Sequence, residues 1–199
     1  MLKSLTTGGS FMKKHLFLII LSLSCVLLFA ERFTVDGLTF CTGHYKGDYS
    51  DISKEIPAGE AIVCELPSNV KSVKIPSKIT HKGKSYAVKE IYYASGVSIY
   101  KYGRDLEFVE IEEGVEKIGF NAFFQCDRLK EIRIPSSCIE INLDTGLPKT
   151  NASGKHWYCD LESVIVAGGN PKYYSKDGIL YDKKSGKVLF VPHSSKSKK

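Results

Sequence analysis

No Gly-x-Ser-x-Gly elbow, no Gly-rich phosphate loop ending in Lys-Ser or Lys-Thr, and no His-Glu-x-x-His segment occurs in the 199 residues. The local contexts that prime a serine nucleophile, cradle a nucleotide or seat a catalytic zinc are therefore missing. Charge of one sign is also scarce. Lys3, Lys13 and Lys14 are the basic residues of the first 30 positions; from Glu31 onward 25 of the 28 basic residues face 22 acidic ones. So small a surplus, spread along the chain, builds no basic face for nucleic acid. The one cationic cluster, in residues 194–199, reads as a solvated tail.

Long apolar runs are equally few. The one present, Leu16 to Ala30, is shorter than the roughly 20 residues that a mature membrane helix needs. It follows Lys13-Lys14-His15 and ends on a small residue before Glu31-Arg32, the layout of a secretory signal cleaved after Ala30. Residues 1–30 are thus expected to be a signal peptide, with Met12 an alternative start and no membrane span after cleavage. Cys25 stands in Leu-Ser-Cys, but the apolar Val26 to Phe29 that follow are unlike a lipidated N-terminus, so simple export is expected. Export permits disulfides. Five cysteines remain beyond the signal: Cys41, Cys64, Cys126, Cys138 and Cys159. With an odd number, at least one stays a thiol or bonds another molecule. Cys41 and Cys64 flank the segment after the signal and form the candidate disulfide; Cys126 with Cys159 is the second pairing to consider.

What the chain does have is a repeat. Leu106, Val109 and Ile111 share their spacing with Leu129, Ile132 and Ile134, with Leu161, Val164 and Val166, and with Val70, Val73 and Ile75. Each copy is apolar at offsets 0, 3 and 5. The match runs on, with Ile79, Val115 and Cys138 at offset 9 and Ile118, Ile141 and Tyr173 at offset 12. Offsets 3 and 5 fall on one face of a strand. A strand so short and one-sided cannot bury that face alone, so stacked copies are expected to share one continuous core. Pro76 and Pro135 at offset 6 end the ladder, because proline lacks the N–H. Gly119 and Asn121 to Phe123 then turn the chain back through an irregular or helical arc. Residues 31–66 form a lead-in, 67–193 the repeat domain, and 194–199 the tail. Two arcs are stretched, by His81 to Ser85 and by Asn142 to Cys159, and the longer reads as a protruding loop.

Three segments carry a family resemblance: Ile134-Pro135-Ser136-Ser137, Val115 to Gly119, and Asn121-Ala122-Phe123-Phe124-Gln125-Cys126. Together they resemble the BspA-type leucine-rich repeats of bacterial surface proteins. Gly169 to Tyr181, with its Asn170-Pro171 and Asp177-Gly178, is similar to a module that recurs between such repeats, and Phe33 to Leu38 to their lead-in. The resemblance implies a β-rich α/β solenoid: a short leucine-rich-repeat array of about four coils with an N-terminal β lead-in and a C-terminal cap. It also implies action at a cell surface, by binding matrix proteins or other cells. No catalytic residue belongs to the pattern, and neither a cofactor nor a metal is expected.

Strand residues that alternate with the core point outward onto one face. Offsets 2 and 4 place Lys74, Phe108, Glu110, Glu131, Arg133 and Ile165 there. An exposed aromatic beside paired charges suits contact with a protein, since aromatic and Arg side chains supply most hot-spot energy. Tyr92, Tyr93, Tyr100, Tyr102 and His156-Trp157-Tyr158 add rings in neighbouring loops. Glu110, Glu112 and Glu113 read as solvated carboxylates. Cys41 and His44 with His156 and Cys159 would make a zinc set only if pairs over a hundred residues apart met, and export favours disulfides instead. The expected function is non-enzymatic recognition of a protein or glycan, adhesin-like. A self-associating envelope component is the rival, and a metal-dependent enzyme a more distant one.

Overall fold

The computed structural model describes residues 31–46, 53–92, 103–124, 126–143 and 161–192. The expected signal peptide, the basic tail, Tyr93 to Tyr102, and Asn142's loop from residue 144 through Cys159 lie outside them.

The lead-in folds as β1 (Glu31–Val35), β2 (Leu38–Thr42), β3 (His44–Lys46), β4 (Ser53–Glu55) and β5 (Glu60–Glu65). The repeats follow as β6 (Ser72–Ile75), β7 (Lys78–His81), β8 (Lys84–Ile91), β9 (Phe108–Ile111), β10 (Lys117–Ile118), β11 (Glu131–Ile134), β12 (Glu140–Ile141) and β13 (Ser163–Val166). The chain closes with β14 (Tyr173–Lys176), β15 (Ile179–Asp182) and β16 (Val188–Phe190). Three hairpins share one turn chemistry. Asp36-Gly37, Lys82-Gly83 and Asp177-Gly178 all have both residues at positive φ, the two-residue turn whose twist matches that of the flanking strands.

The four aligned copies lie side by side. Their strands form a parallel sheet in the order β13-β11-β9-β6. Ser72 stands beside Phe108, Phe108 beside Glu131, and Glu131 beside Ser163. A second sheet runs β1-β2-β5-β8-β10-β12, with β7 on β8. Its last strands are two residues long, and each pairs in parallel with the same arc of the next copy: Ile118 with Ile91 and with Ile141.

Between the sheets lies one core. Leu106, Leu129 and Leu161 at offset 0 have no exposed surface, and Val109, Ile111, Ile132, Ile134 and Val164 are buried with them. From the arcs come Val115, Ile118, Phe123, Cys126, Cys138 and Ile141. The first copy departs: Val70 is 38% exposed and Val73 only half-buried, because no earlier coil stacks on it.

One expectation needs correcting. The described residues contain no helix, so the arcs are not the α part of an α/β unit. After Gly119 the chain makes separate turns, in which Phe124 N–H donates to Asn121 O at 2.9 Å and Cys126 N–H to Phe123 O at 3.3 Å. Asn121 sits at φ 51°, which breaks any helical run at its start.

Candidate functional site

By strand alternation, two rows of side chains face outward from the parallel sheet. One runs Ser72, Phe108, Glu131, Ser163; the other runs Lys74, Glu110, Arg133, Ile165. All six sequence-selected residues fall in these rows. Phe108 is 46% and Ile165 39% exposed, so two large apolar side chains stand among the charges of these rows.

The charges alternate in sign along the sheet. Lys74 Nζ lies 3.3 Å from Glu110 and 3.3 Å from Glu112, and Arg133 Nε donates to Glu131 Oε1 at 2.7 Å. Beneath them Glu107 bridges Lys71 at 3.2 Å and Lys130 at 2.6 Å. Hydrogen bonds to Glu112 and Glu110 raise the Lys74 ammonium, and the Lys130 and Lys71 ammoniums lower the Glu107 carboxyl. These shifts favour the charged forms of Lys74 and Glu107. The pairs are exposed and individually weak, so the face has no net charge but a fixed pattern of sign. Shallow grooves lie between and beside the rows. One of about 260 Å³ lies between Phe108, Lys74 and Arg133, and a wider one of about 600 Å³ is walled by Glu110, Arg133, Pro135 and Ile165.

Glu112 and Glu113 are not merely solvated. Glu112 accepts Ser77 N–H at 3.0 Å, and Glu113 accepts the N–H groups of Ser136 at 2.7 Å and Ser137 at 3.1 Å. These bonds to main-chain N–H groups hold both carboxyls below their ordinary value. Both staple one coil to its neighbour.

Tyr92 also sits elsewhere than the strand face. It packs half-buried against Cys41, Tyr45, Ile56, Ile62 and Cys64 on the outer side of the second sheet, with Lys54 Nζ 4.8 Å from its ring centre. Cys41 and Cys64, the candidate disulfide pair, are both buried free thiols in this structure. They face the same side of β2 and β5, next to a bulge that leaves Cys64 without an opposite partner. Their mutual hydrogen bond, with burial, holds the Cys64 thiol above its ordinary range. Burial pushes Cys138 up to about 12, so it serves as a small apolar filler. Among the described residues no group of three His, Cys, Asp or Glu side chains is placed to hold a metal; His156 and Cys159 lie outside them.

No curated protein matches the chain. Solved structures with some likeness include a leucine-rich repeat protein from Bacteroides ovatus, 27% identical over 53% of this chain with a TM-score of 0.38. A second, from Bacteroides capillosus, is 22% identical over 69% of this chain and 99% of its own, with a TM-score of 0.39. A leucine-rich cell surface protein from Faecalibacterium prausnitzii is 14% identical over 81% of this chain and 62% of its own, with a TM-score of 0.27. The chain spans about a quarter (24%) of the Bacteroides ovatus protein. All three scores fall below 0.5, too low to carry weight. The family comparison is direct: residues 95–145 match the model described as "BspA type Leucine rich repeat region (6 copies)". That segment contains β9 to β12 and the staple from Glu113 to Ser136 and Ser137, so this part of the chain is similar to BspA-type leucine-rich repeats.

Proposed function

We propose that the chain is an exported, non-enzymatic recognition protein that binds a protein partner through the outward face of its parallel sheet. In this reading β6, β9, β11 and β13 are four coils of a short solenoid, the lead-in extends the second sheet at one end, and the β14–β16 hairpins cap the other. One observation carries it. The strand register aligns Lys74, Glu110, Arg133 and Ile165 in one row beside the exposed Phe108. An aromatic anchor, an Arg and a sign-alternating stripe on a rigid sheet are the components of a protein-binding hot spot. Export rests on the signal-like layout of residues 1–30.

The test is binding of the purified protein to immobilised matrix proteins, glycans and whole cells, beside the Phe108→Ala/Arg133→Glu double variant. Saturable binding that the variant weakens by about 30-fold or more supports the reading, since a hot spot is worth roughly 2 kcal/mol. Both side chains are exposed, so the variant's urea midpoint should stay close to that of the parent. Undiminished binding by a folded variant rejects this face as the site. Reversible self-association instead of partner binding would favour an envelope building block.

A further inference from the structure

The parallel sheet has two edge strands, and they end differently. At β13 the edge is closed. Val164 donates its N–H to Gly178 O at 2.9 Å, and Val166 donates to Ser175 Oγ at 2.9 Å. The β14–β15 hairpin thus takes up the donors of the last strand. At β6 the edge is open among the described residues. Phe108 N–H donates to Lys71 O and Glu112 N–H to Ile75 O, so residues 71, 73 and 75 turn their main-chain groups toward β9. By the alternation of a parallel ladder, Ser72 and Lys74 point theirs away from it. Among the described residues neither is paired on that side.

A groove of about 650 Å³ runs along this edge, between Ser72 and Lys74 on one wall and Val35, Gly37 and Ile79 on the other. Its floor is the end of the core that no coil covers, where Val35 and Val73 are half-buried. Two lysines stand on its rim. Lys74 is shared between two carboxylates, and Lys78 is exposed with no carboxylate partner among the described residues. Of the acids nearby, Glu112 is already held by Ser77 and Lys74, which leaves Asp36.

We propose that the open edge of β6 docks an extended, acidic segment of a partner polypeptide, which joins the sheet as a fifth strand. The main-chain groups of Ser72 and Lys74 supply pairing that any sequence can use, the groove receives alternate apolar side chains, and Lys78 selects a carboxylate. A second copy of this chain fits worse. Pairing two β6 edges would gather Lys74 and the flanking Lys71 and Lys78 of both copies into one seam. The closed edge at β13 leaves no surface for head-to-tail growth. The edge adjoins the outward face and shares Ser72 and Lys74 with it, but it binds through main-chain groups and not through Phe108 and Arg133, so this inference goes beyond the function proposed above.

The probe is a fluorescein-labelled peptide of residues 105–113, Asp-Leu-Glu-Phe-Val-Glu-Ile-Glu-Glu, acidic and strand-competent because its core already pairs with β6 from the other side. Fluorescence polarisation with the purified protein should show saturable binding, and the amides of Ser72 and Lys74 should gain protection from exchange. Ser72→Pro removes an outward N–H at an edge, where proline is tolerated, and should weaken binding at least 10-fold; Lys78→Glu should weaken it several-fold. If Ser72→Pro fails to fold, the same peptide N-methylated at alternate amides serves in its place and should not bind the parent. Absence of peptide binding overturns the proposal. So does binding that survives Ser72→Pro but is lost in Phe108→Ala/Arg133→Glu, or a dimer of the protein itself that Ser72→Pro dissociates.

Discussion

Asn170 has no exposed surface and no unused polar atom. Its Nδ2 donates to Pro135 O at 3.0 Å and Cys138 O at 2.7 Å, while its Oδ1 accepts the N–H groups of Lys172 at 2.9 Å and Tyr173 at 2.8 Å. One amide thus ties the turn after β11 to the start of β14. Asn170→Ala orphans buried main-chain groups at both ends, each worth about 1–3 kcal/mol, and should lower unfolding free energy by about 3 kcal/mol in urea titration. Glu113 makes a different prediction. Its folded pKa lies below the ordinary 4.5, so the folded chain binds this proton less readily than the unfolded one. The stability it contributes is complete above about 4.5 and is lost as pH falls through the depressed value. Glu113→Gln should therefore flatten the acid limb: its urea midpoint should drop less than the parent's between about pH 5 and pH 3.

Among the elements, the Asp177-Gly178 turn links the C-terminal hairpin to the repeat sheet. Gly178 has φ 77°, and an added Cβ would stand 3.0 Å from Glu162 O and 3.2 Å from Ser163 Cα. Gly178→Ala should cost about 1–3 kcal/mol through strain and speed amide exchange at Val164 and Val166, the donors beneath the turn. Unchanged exchange there would show that the hairpin does not close β13. The strands themselves were legible because offsets 0, 3 and 5 mark burial in a period-two element, and the same alternation located the outward rows. The second sheet was not. Lys117-Ile118 and Glu140-Ile141 are too short to carry a pattern, and they become strands only because stacking brings each beside the same arc of the next copy. The staples were hidden for a related reason: Glu113 and Ser136 belong to different coils, and nothing local to either names the other. The grooves between and beside the rows depend on side-chain length and register together, which alternation alone does not supply.

The molecule as a whole is a core held between two sheets, with ends of different construction. Truncation after Ala167 tests how much the closed end matters. It removes Asn170, the fully buried Leu180 and both groups that receive β13's donors, and exposes an unpaired strand edge of the kind that recruits other chains. Sedimentation should show the truncated protein associating at concentrations where the full chain does not.

The staples have one more consequence. The coil that begins at Leu106 carries Glu112 and Glu113 where its neighbours on either side carry Pro-Ser, at Pro76-Ser77 and Pro135-Ser136. Glu112 reaches back to Ser77, and Glu113 reaches forward to Ser136 and Ser137. The apolar offsets make the coils interchangeable, yet their turns do not. An acidic coil belongs between two serine coils, and two serine coils set together would have no acceptor for their N–H groups. The turns therefore act as an address label, fixing the order of units that the core alone would accept in any sequence.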